Sequence, residues 1–213
     1  LVIGAGDCLD VPVGELAELF SEVVLADVAI GIGARRWERR LEGRVRCALW
    51  DATGALEALA AYRDKLDREE AARVLAGAQP GIPPLGEPDL VVSANCLSQL
   101  GLIPGYALAA AKDDEGLPDH VAVAAAKRHL AWLEERDGVR VLLADVARLN
   151  ISPDDGRVLK EERLIESFGL PAPDRTWRWN LAPIPEWNST CHRVHEVGVW
   201  ITAPVASRPG AST

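Results

Sequence analysis

The chain has 213 residues, 48% of them hydrophobic and 26% charged, which suits one globular core and excludes a disordered or low-complexity chain. Its net charge of −9 leaves no basic excess of the kind a nucleic-acid surface needs, so no nucleic-acid partner is expected. No apolar run approaches the roughly 20 residues of a membrane span, so no membrane partner is expected either.

Leu1-Val2-Ile3 reads as a core strand that breaks into Gly4-Ala5-Gly6-Asp7. The sequence starts inside that strand and contains no methionine, from which we expect a preceding N-terminal segment and missing methionine positions. A helix is predicted from about Pro12 to Phe20, with Val13, Leu16, Ala17 and Phe20 on one face. Val23 to Ala26 is a short apolar run ended by Asp27, and Val45 to Trp50 is another ended by Asp51. Between them, Arg35, Arg36, Arg39 and Arg40 with Glu38 and Glu42 read as a solvated helix.

Leu56 to Ala76 reads as helical, and the Pro/Gly-rich stretch from Gln79 to Pro88 as a loop. Leu90 to Ala94 is a buried-type strand, 119–136 an amphipathic helix, and Val139 to Ala144 a fifth strand. Residues 150–175 are irregular with one short helical piece. Trp177 to Leu181 and Val194 to Thr202 are two further strands with no helix between them. One domain is expected over 1–205, with a disordered tail over 206–213. Strands alternating with helices imply an α/β fold: a three-layer Rossmann-like sandwich on a mostly parallel seven-stranded sheet, closed by a C-terminal antiparallel hairpin.

The four cysteines are too widely spaced for a zinc knuckle or redox dithiol, so no metal is expected and a reducing, cytoplasmic setting is. The chemistry concentrates at the strand–glycine turn–helix. Glycines let backbone approach a ligand, and ligands sit at the carboxyl ends of strands in open α/β sheets. Asp27, about 20 residues after Gly6, can accept hydrogen bonds from ribose hydroxyls.

Leu1-Val2-Ile3-Gly4-Ala5-Gly6 with Asp27 and Asp51, the segment from Asp89 to Leu100, and the C-terminal strand pair together resemble Rossmann-like (class I) S-adenosylmethionine-dependent methyltransferases. The resemblance spans residue 1 to about 203. It implies S-adenosylmethionine as cofactor, with Gly4, Ala5, Gly6 and Asp7 shaping the loop around its methionine part. It further implies Asp27 on the ribose and Asp51 near the adenine amine. Ser93 and Asn95 would line the floor where the sulfonium methyl meets the acceptor, a small molecule or a protein. Val2 and Cys8 stand where that family often has an acidic residue and a third glycine, which leaves open a non-catalytic Rossmann-like ligand-binding protein. A NAD-dependent oxidoreductase is the third reading; Leu9, at the third position of the dinucleotide fingerprint, disfavours it. Candidate bases are His120, His192 and His195. Trp177, Trp179, Trp187 and Trp200 read as core packing or as an aromatic wall for a planar acceptor. The acceptor is expected between Ser93–Cys96 and the segment from Pro183 to His195.

Overall fold

Val24, Leu25 and Ala26 are wholly buried, and a strand covered on both faces has no reason to alternate polar with apolar. The computed structural model, which describes residues 1–60, 68–109 and 117–204, shows that arrangement. Strands β1 (Val2–Ile3), β2 (Val23–Asp27), β3 (Val45–Leu49), β4 (Leu90–Ala94) and the first half of β5 (Val139–Ile151) pair in parallel. β6 (Val158–Arg163), β7 (Arg175–Ala182) and β8 (His192–Thr202) are antiparallel to their neighbours. The order is β3-β2-β1-β4-β5-β8-β7, with β6 paired to β5 off that path. The fold is therefore α/β on a mostly parallel mixed sheet with antiparallel C-terminal strands.

Successive residues of each strand face opposite sides. Val2, Val23 and Leu25 join one apolar cluster with Val13 and Ala17 of α1 (Val13–Leu19) and Ala34 of α2 (Ile32–Arg40). Ile3, Val24 and Ala26 join another with Ala126, Trp132 and Leu133 of α6 (Leu117–Glu134) and with Ile165 and Phe168 of α7 (Ile165–Phe168). Fully burying a side chain such as Leu25 stabilises by about 1.5–3 kcal/mol. Among the described residues the other α-helices are α3 (Ala55–Ala60), α4 (Arg68–Gly77) and α5 (Leu102–Ala109), with a single 3-10 turn over Leu97–Gln99. None of the described helices is long and apolar enough to cross a membrane.

The sheet has eight strands where the sequence pattern suggests seven. β5 runs on past Ala144 through a bulge between Asp145 and Ala147, and its far half pairs with β6. All six residues of β6 are exposed, so no apolar period marks it. Ladder hydrogen bonds to β5 hold it, and Glu162 lies 3.7 Å from Arg148 and 3.5 Å from Arg193. Residues 61–67 of the helix expected over 56–76, and the tail expected over 206–213, lie outside the described residues.

Candidate active site at the sheet's carboxyl edge

From β1 the sheet grows outward through β2 and β3 on one side and through β4 and β5 on the other. In open α/β sheets ligands bind at the carboxyl ends of the strands at the switch point where the strand order reverses, which in this sheet is between β1 and β4. The glycine loop sits there. Gly4 has φ +76°, and a Cβ on it would lie 2.6 Å from Cys96 Cβ and 2.8 Å from the Ala94 carbonyl oxygen. Only glycine lets the β1 turn lie this close to the end of β4. Gly6 has φ +47°, and a Cβ on it would meet nothing within 4 Å. The loop is tight against the protein at Gly4 and open at Gly6. Ala5, between them, is buried in the α1-side cluster.

Three sequence-selected carboxylates ring this edge, each already holding backbone. Asp27 Oδ2 accepts the Gly6 N–H at 2.8 Å and its Oδ1 the Ala29 N–H at 3.0 Å. Asp7 Oδ1 accepts the Gly33 N–H at 2.9 Å, and the Gly31 N–H donates to the Gly6 carbonyl at 3.1 Å, stapling the loop to the start of α2. Asp51 accepts from Thr53 N–H, Thr53 hydroxyl and Leu56 N–H at 2.8, 2.6 and 2.8 Å, which caps the entry to α3. Both oxygens of Asp27, Oδ1 of Asp7 and Oδ2 of Asp51 each keep a second lone pair for a ligand, whereas Asp51 Oδ1 already accepts two hydrogen bonds from Thr53.

Ser93 and Asn95 part company. Ser93 is completely buried, with Oγ 2.9 Å from His129 Nε2 and 3.3 Å from Cys96 Sγ, so its hydroxyl faces the interior beneath the loop. Burial lowers the His129 imidazole to about 4. Asn95 directly follows β4, at the switch point itself. It has φ +51°, and its Nδ2 donates to Asp10 Oδ2 at 2.7 Å, joining the loop after β4 to the loop after β1. Its Oδ1 is buried without a hydrogen-bond partner.

Beside the bulge in β5, His195, one of the candidate bases, joins Asp145 and Ser98, which motif reading does not select. Asp145 Oδ1 is 2.9 Å from His195 Nδ1, and its Oδ2 accepts the Ser98 hydroxyl at 2.8 Å. Burial by itself would raise the Asp145 carboxyl; the His195 and Ser98 hydrogen bonds and the Arg148 charge outweigh it and hold the group below its ordinary value. Asp145 ends an apolar run as Asp27 and Asp51 do, and that was the available signal. Ser98 carried none. Of the other histidines, His192 Nδ1 accepts the Ile184 N–H at 3.1 Å, and the His120 side chain lies outside the described residues. Trp200 is core, with its indole N–H on the Pro171 carbonyl, whereas Trp177, Trp179 and Trp187 are exposed.

A cavity of about 460 Å³ lies apart from this edge, where α6 and α7 meet the start of β5 and the end of β8, beside Arg140, Phe168 and Trp200. Among the described residues no group of three or more His, Cys, Asp or Glu is placed to hold a metal ion. No family model matches this chain, and no curated protein matches it.

Proposed function

We propose that the chain is a S-adenosylmethionine-dependent methyltransferase of the Rossmann-like class, acting on a small-molecule or protein acceptor. The observation that carries the reading is the glycine loop at the switch point, shut at Gly4 and open at Gly6, with the Asp27 carboxylate against it. The antiparallel final hairpin, with β8 inserted between β5 and β7, is the closing feature that the family resemblance implies. Seven strands then form the three-layer core of the fold, and β6 is an addition. Gly4 to Asp7 and Asp27 would hold the cofactor, with Asp51 beside its adenine. Bound there, it supplies an electrophilic methyl group on a sulfonium. Asn95 orients the acceptor, and Ser93 supports the floor from within. We place the protein in the cytoplasm, where its four free thiols stay reduced.

Calorimetric titration with S-adenosylhomocysteine, NAD and NADP tests this. S-adenosylhomocysteine alone should bind, and at a hundredfold excess over Kd should stabilise the fold by about 2.7 kcal/mol. Asp27→Ala should remove most of that shift. An undiminished shift in the variant means the ribose site lies elsewhere. The internal bonds of Asp7, Asp27 and Asp51 favour a second reading, a ligand-binding relative without catalysis. Tight S-adenosylhomocysteine binding without methyl transfer to any acceptor would establish it.

A further inference from the structure

We propose that His195, oriented by Asp145, is the general base of this site and that its acceptor is a phenol-class hydroxyl on a planar ring laid against Trp179. This rests on the methyl-transfer reading above. Trp179, His195 and Arg148 stand opposite one another across β7, β8 and β5, so their side chains share one sheet face. Trp177 and Asp145 flank the same row, both opposite Val197. Leu143 is the last β5 residue paired with β4, its carbonyl accepts the Asn95 N–H, and Asp145, two residues on, accepts the hydroxyl of Ser98 from the loop after β4, which ties the cluster to the carboxyl edge.

The geometry suits a base. Asp145 accepts a proton-bearing Nδ1, which fixes the tautomer that leaves Nε2 as an acceptor. Nε2 has no hydrogen-bond partner among the described residues and is not sealed from solvent. Ser98 fills the second oxygen of Asp145, so the carboxylate is itself held. Charged groups sharing this face by register are Arg148, 3.9 Å from Asp145, Arg193, Arg175, Lys160 and Glu162, which lies against both Arg148 and Arg193. Trp179 is 37% and Trp177 42% exposed, an aromatic surface that the protein leaves uncovered beside a 9% exposed imidazole. A flat ring stacked there would present a ring hydroxyl along the sheet toward Nε2.

A phenol is nearly all protonated at neutral pH, its pKa being about 10, so the oxygen needs a base before it displaces well. Nε2 takes the hydroxyl proton as the oxygen's electron pair forms the new bond to the methyl carbon, and the broken carbon–sulfur pair stays on sulfur. The sulfonium charge is lost, and one positive charge appears on His195 beside Asp145.

Two measurements on the ligand-free chain test the site without turnover. Imidazole nitrogen NMR should show the proton on Nδ1 of His195. In Asp145→Asn the new amide can donate to Nδ1, and the proton should move to Nε2. Titration with phenol should then perturb the His195 ring and the Trp179 indole in the parent chain, with anisole, which lacks the hydroxyl, at least tenfold weaker. Trp179→Ala should weaken phenol binding at least threefold while leaving the His195 tautomer unchanged. With S-adenosylmethionine and a phenol acceptor, His195→Gln should lower kcat by about a hundredfold, with S-adenosylhomocysteine affinity unchanged. A proton on Nε2 in the parent chain overturns the proposal, and so does phenol that leaves His195 and Trp179 untouched. If phenol engages His195 but S-adenosylhomocysteine does not bind, the acceptor site stands and the methyl-transfer reading fails. If S-adenosylhomocysteine binds and phenol misses His195, the reverse holds.

Discussion

Acidification should destabilise this protein through one buried imidazole. His129 is wholly buried on α6, stacked on Trp132 at 6.2 Å, with Nε2 on Ser93 and Nδ1 without a partner. Nothing acidic offsets its burial, so its pKa falls to about 4, against about 6.5 in an unfolded chain. Between those values the unfolded state binds a proton that the folded state refuses. Stability is therefore fully present above about pH 6.5 and declines as the pH falls toward 4. The gap of about 2.5 pH units at 1.36 kcal/mol each is a loss of about 3 kcal/mol from this group. Urea denaturation at half-unit steps from pH 7 to 4 measures it. His129→Leu removes the titration and the Ser93 bond, so it should be less stable at pH 7 by about 1 kcal/mol. Its stability should nevertheless fall less steeply than that of the parent, and the two curves should cross or converge near pH 5 to 6. Carboxylates titrate in both proteins and cancel in the comparison. Parallel curves through this window would refute the idea that His129 is held neutral and that it locks Ser93 inward.

Three further outcomes follow from the switch point. Gly4→Ala drives a Cβ into Cys96 and the Ala94 carbonyl at a positive φ, and should cost more than about 2 kcal/mol in urea denaturation. Gly6→Ala meets nothing and should cost only about 1 kcal/mol for its φ, yet weaken S-adenosylhomocysteine tenfold or more by calorimetry; unchanged affinity would mean the open side of the loop is not the cofactor side. Asn95→Gly keeps the left-handed backbone and removes the side chain that reaches Asp10, so turnover should fall tenfold or more with S-adenosylhomocysteine affinity intact. Asn95→Ala adds about 1 kcal/mol of strain, and comparing the pair in denaturation and kinetics separates backbone from side chain.

Much of the frame is legible in the residues because local physics fixes it. The short apolar run Val23–Ala26, bounded by charged residues, reads as a strand buried on both faces, and Gly4-Ala5-Gly6 after Ile3 reads as a turn; both stand so in the fold. The 119–136 pattern agrees with α6, whose Val121, Ala125 and Leu133 are buried. β6 was illegible because its charged, exposed residues carry no period; only pairing with the extended half of β5 makes it a strand.

The candidate site divides the same way. The sequence by itself determined the glycine loop, Asp27 beyond it and the two C-terminal strands, since each depends on a run of neighbouring residues. Only the tertiary structure decided what those residues touch. It turned Ser93 inward onto His129, 36 positions away, and spent Asp51 on the start of α3. It joined Asn95 to Asp10 across 85 residues and His195 to Asp145 across 50. Those contacts come from strand order and from a one-residue bulge at Val146 that sets Arg148 opposite His195, on the face of Asp145. Register across a sheet is set by the sum of all its pairings and both cores, and no short stretch of sequence contains that sum.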